Sequence, residues 1–280
     1  MKNTSIPVDL KVFNYKLPGG TPDGYSKAAL HILKKLEEVN RECLQYFLAA
    51  NTVLTLSGVR AFDTYVTFEK LSAHEIAQVT ELLASKGITL FPHLSEYDDR
   101  DKDMYSLVHH EALSKIPEQY GFSGWIQPNA PFDFDRMIAW SYTVESKLFQ
   151  AMQEGKLPKE WLNHHWSAHD IRFGILLGYP GEAIASCCWE EVIHQKTGEE
   201  LSAKTAEITY HDAYDAAQPT YFYMVQLKDN PNIKHHQELW SYILTRVYES
   251  TWHQNLKAKD WLSILSEMGR TQPFCFIFVM

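Results

Sequence analysis

The chain has 280 residues, 45% of them hydrophobic and 22% charged, with a formal net charge of −9. That length suits one large domain or two small ones, and the apolar share supports a buried core rather than a disordered chain. An acidic balance argues against a nucleic-acid partner, which needs clustered cations, and the one notable basic pair, Lys34-Lys35, is followed by Glu37-Glu38.

The four cysteines, Cys43, Cys187, Cys188 and Cys275, form no C-x-x-C pair and no disulfide framework. The first residues lack the apolar core of a signal peptide, and no apolar run reaches the roughly 18 residues of a membrane span. The expectation is a cytoplasmic protein with no membrane partner. Nothing in the residue pattern speaks to its oligomeric state.

In chain order, the turn-rich stretch Pro18 to Gly24 precedes a helix expected from about Tyr25 to Ala50, where Leu33, Leu36, Val39, Cys43 and Phe47 keep helical spacing. Thr64 to Phe68 is rich in β-branched and aromatic residues and reads as a strand. Ser72 and Glu75 make a capping box, Ile76, Val79 and Leu83 give the helix that follows an apolar stripe, and Gly87 suits its end. Ile88 to Phe91 reads as a second strand. Strand, helix and strand with short links predict a right-handed β-α-β crossover.

After Pro92 the sequence turns acidic and then reads as helix to about Ile116. Residues 117–135 read as a loop with five aromatics and three prolines. Helices are expected at about 136–153 and 158–177, and a sharp turn at Gly178 to Gly181 leads into another helix. Strands are expected at about 205–211 and 220–227. Asn230-Pro231 opens a helix with Ile233, Trp240, Ile243, Leu244 and Val247 on its apolar face. A short helix at about 258–268 and a buried strand from Phe274 to Met280 complete the chain. The predicted class is α+β, helix-rich with a small mixed sheet. Residues 1–280 read as a single compact domain, and two lobes, about 1–115 and 116–280, also fit.

The nearest thing to a chemical signature is His164-His165-Trp166-Ser167-Ala168-His169-Asp170. On a helix His165 and His169 share a face, Asp170 follows, and Arg172 lies a turn beyond His169. Such a set could carry a proton on His165 or His169 while Asp170 and Arg172 orient the imidazole or hold an anion. A competing pattern runs through the same window. Leu162, Trp166, His169, Phe173 and Leu177 form an apolar stripe, which makes His169 equally a core residue. A zinc-protease helix needs Glu after the first histidine, where this chain has Trp166, so no metal site is assigned.

A second candidate follows the expected strand at Phe91. His93, Glu96 and Asp98 would sit at its carboxyl end, where open parallel sheets bind ligands; the plain alternative is a solvated acidic loop. Asp99, Asp101 and Asp103 begin like a calcium loop, but Met104 replaces the required glycine and His110 the bidentate Glu. Gly19 to Gly24 has the glycine spacing of a P-loop with Tyr25 in place of its lysine. No nucleophile elbow, dinucleotide fingerprint or kinase set is present, and the residue pattern leaves any cofactor unknown. His109-His110 and His235-His236 are expected as exposed helix residues among the chain's 13 histidines. The preferred reading is an enzyme or a protein that binds a small-molecule ligand. The competing one is a noncatalytic interaction protein that uses exposed aromatics of the 120–135 loop.

Overall fold

In a computed structural model of the chain, residues 15–41, 43–68, 71–92, 104–120, 150, 153–155, 174–184 and 230–255 are described. They make a helix-rich α+β structure with a small three-stranded sheet. The first helix, α1 (Pro22–Val39), starts where the turn chemistry places it. The Thr21 hydroxyl accepts from the Gly24 amide at 3.1 Å, and Pro22 occupies the first helical position, where no amide hydrogen is needed.

The single helix expected to Ala50 is broken in two, and a third begins at Ala50. α1 stops at Asn40, which is extended (φ −158°, ψ 133°), and α2 (Cys43–Tyr46) and α3 (Ala50–Ser57) follow. The Asn40 amide group donates to Glu75, 35 residues away, so a tertiary contact holds the residue out of helical geometry. The apolar register survives the break: Leu33, Leu36, Cys43 and Phe47 are all buried. Periodicity reports burial of a stripe, and a stripe continues across a kink.

Strand β1 (Phe62–Thr67) leads to helix α4 (Ala73–Ala84) and strand β2 (Ile88–Pro92). The capping box forms as expected. Glu75 N–H donates to the Ser72 hydroxyl, and Ser72 N–H donates to the Glu75 carboxylate at 2.8 Å. Val79 and Leu83 are fully buried, and Gly87 has φ +70°. The segment after residue 103 departs from expectation, because Met104–His109 is a strand, β3, rather than helix.

β3 lies between the other two strands and pairs antiparallel with both, giving the order β1-β3-β2. Phe62 opposes Val108 and Asp63 opposes Leu107, with an irregularity before Val66 opposes Tyr105; Leu90 opposes Leu107 on the other side. β1 and β2 therefore point the same way without bonding to each other. Leu107 and Val108, on opposite faces of β3, are both buried, so both faces of the central strand are covered. Without it, the inner edges of β1 and β2 would carry unsatisfied amides and carbonyls.

Helix α5 (His110–Gln119) buries Ala112, Leu113, Ile116 and Pro117. It extends into the stretch expected as loop from residue 117. Helix α6 (Pro231–Asn255) buries Ile233, Trp240, Ile243, Leu244 and Val247, the face its spacing predicts. Contacts divide the chain into two compact units: residues 19–111, 208–220 and 237–280 in one, and residues 1–18, 112–207 and 221–236 in the other. In the first, α1 packs on α3 and α4, α3 on β1 and β3, and α4 on β2. The second holds a tight turn in which residues 174–176 and 181–184 are helical. Gly178 there has φ +75°, a left-handed conformation that costs a residue with a Cβ roughly 1–2 kcal/mol. The strands expected at 205–211, 220–227 and 274–280, the helix at 258–268 and most of those at 136–153 and 158–177 lie outside the described residues.

Candidate functional site

His165, His169, Asp170 and Arg172 lie outside the described residues, as do His93, Glu96 and Asp98. One premise behind the second set changes. β2 ends at Pro92, directly before His93 in the chain, but both ladders of its sheet are antiparallel. The rule that ligands bind at the carboxyl ends of strands belongs to open parallel sheets and does not carry over. Among the described residues no group of three or more His, Cys, Asp or Glu side chains could hold a metal ion.

The described residues bring together two sets of buried polar side chains, neither singled out by the sequence. The first is at the corner between α3 and β1. Arg60 is only 2% exposed; its Nε donates to the Phe62 carbonyl at 2.7 Å, and its Nη1 donates to Asn51 Oδ1. Close by in sequence, the Thr52 hydroxyl donates to Asp63 Oδ2 at 2.7 Å, and both residues are buried. A guanidinium out of water is tolerated only when its donors meet acceptors, and here a carbonyl and an amide oxygen supply them.

α3 is buried on every side that carries Thr52, Val53, Leu54, Thr55, Leu56 and Ser57. The hydroxyls of Thr55 and Ser57 turn back onto the carbonyls of Asn51 and Leu54. Gly58 ends the helix at φ +77°, and a Cβ there would lie 2.9 Å from His109 Nε2. His109 is thus a buried strand residue packed on a glycine, not an exposed helix residue. His110 is half-buried, with Nε2 at 2.6 Å from the Thr89 hydroxyl.

The second set belongs to the other unit. His236 is fully buried and its Nε2 lies 2.9 Å from the Gly178 carbonyl. A carbonyl can only accept, so Nε2 carries the proton. The Tyr120 hydroxyl donates to the next carbonyl, that of Tyr179. Tyr15 packs against both, with ring centroids 5.2 Å from Tyr120 and 6.1 Å from His236. Asn232 Nδ2 donates to Glu182 at 2.7 Å on the same turn. Gly174 makes the turn tight, because a Cβ there would come within 2.7 Å of Ile184.

Two expectations change here. His236 is the buried member of its pair, while His235 is exposed. Tyr120, one of the aromatics expected on an exposed loop, is fully buried. The available signal was spacing: His236 falls at i+3 from Ile233 and i−4 from Trp240, on the apolar face of α6. The polar atoms of His236 and Tyr120 are spent on backbone carbonyls. Chemically the arrangement fixes a turn, with one imidazole tautomer and one phenol as its pins.

Tyr248 resembles Tyr120 in placing a hydroxyl on a carbonyl, that of Leu48 at 2.9 Å, and burial pushes its phenol well above the ordinary value. No helix among the described residues is long and apolar enough to cross a membrane. Comparison with protein-family models, with curated proteins and with solved structures finds no match for this chain.

Proposed function

We propose that the chain is an enzyme or small-molecule-binding protein whose polar site is formed by His165, His169, Asp170 and Arg172. One observation supports this reading. The turn that begins two residues after Arg172 is pinned by hydrogen bonds, with consecutive carbonyls at Gly178 and Tyr179 bonded to His236 and Tyr120. A functional constellation needs its supporting backbone fixed by packing and hydrogen bonds, and this turn has both. In the proposed site one histidine carries a proton, and Asp170 and Arg172 orient it or hold an anionic group. His93, Glu96 and Asp98 are proposed as a secondary ligand-contacting set.

The wider reading takes β1, α4 and β2 as a right-handed crossover, residues 274–280 as a buried strand, residues 1–280 as one domain, and the setting as cytoplasmic. The interaction-protein reading is weaker because Tyr120, one of its anchors, is buried.

The test compares the wild type with a His165→Gln, His169→Gln double variant in a thermal-shift screen of small anionic and neutral metabolites. At least one compound should raise the wild-type melting temperature and lose that effect in a variant whose circular dichroism is unchanged. Equal shifts in both proteins, or none in either, would remove the proposal. Elemental analysis should find no stoichiometric zinc, iron or manganese.

A further inference from the structure

We draw no further inference here: the strongest candidate, the side-chain cluster of Tyr15, Tyr120 and His236 on the turn at Gly178, already serves that turn through packing and hydrogen bonds to carbonyls, and nothing in the structure shows what else it would bind.

Discussion

The two buried polar sets solve the same problem at different distances along the chain. At the α3–β1 corner, Asn51, Thr52, Arg60 and Asp63 bond across 9 and 11 residues. At the Gly178 turn, Tyr120 and His236 reach across 59 and 58 residues. Loop closure grows as the logarithm of loop length, so closing 59 residues costs about 1.5 kcal/mol more than closing 11. The corner can form once a helix and a strand meet. The turn needs α5 and α6 in place first. The corner should therefore behave as an integral part of its unit's stability, and the turn as a locally separable element.

Arg60→Ala carries the largest expected effect. It removes the donors to Phe62 and Asn51 and leaves a cavity, for a loss of about 2–5 kcal/mol, the range for truncating a large buried side chain and leaving buried acceptors unpaired. A urea midpoint close to wild type would show that the guanidinium is not the corner's anchor.

Next in size is a paired glycine experiment within the same unit. Gly58 (φ +77°) and Gly87 (φ +70°) share a left-handed backbone, but only Gly58 has an imidazole against it. Alanine at either position should cost roughly 1–2 kcal/mol from the backbone. Gly58→Ala should cost about 1–3 kcal/mol more from overpacking on His109. In a His109→Ala background that excess should vanish, and a double-mutant cycle by thermal unfolding reads it directly.

The turn should respond more locally. Tyr120→Phe leaves the Tyr179 carbonyl without that donor, a loss of about 1–3 kcal/mol. Hydrogen exchange of residues 174–184 should accelerate while amides of β3 keep their protection. Uniform acceleration through both sets would erase the distinction drawn between them.

The smallest effects belong to the α4 cap. Ser72→Ala should lose about 1 kcal/mol. The Glu75 carboxyl is held below its ordinary value chiefly by the Ser72 hydroxyl, then by the Ser72 amide and the Asn40 side chain. Because the folded value lies below the unfolded one, this contribution is complete above the unfolded value and fades as pH falls through the folded one. Acid titration of stability should thus be shallower in Glu75→Gln than in the wild type. Identical acid limbs would show that Glu75 makes no such contribution.

Local chemistry was legible where each signal agreed with its neighbours. The Ser72–Glu75 box, the Val79 and Leu83 stripe, the Gly87 stop and the apolar face of α6 all rest on contacts within a few residues. The misread segments were those in which a distant partner decided the outcome. Asn40 leaves the helix for Glu75, and Met104–His109 becomes a strand because two others need a partner between them. The same holds for the polar groups. The cluster near His165 is conspicuous because its histidines lie close together in sequence, whereas Arg60 is a single polar residue among apolar neighbours and His236, in a polar run, is marked only by its spacing from Ile233 and Trp240.

What the sequence alone determined is the class, a helix-rich α+β chain, together with helix caps and the buried faces of its clearest helices. These follow from hydrogen bonds and side-chain spacing within one or two turns. Tertiary structure decided the central place of β3, the break after Val39 and which histidines are buried. The reason is physical: a backbone amide or an imidazole is satisfied by whichever acceptor the fold brings within 3 Å, and for His236 that acceptor lies 58 residues away.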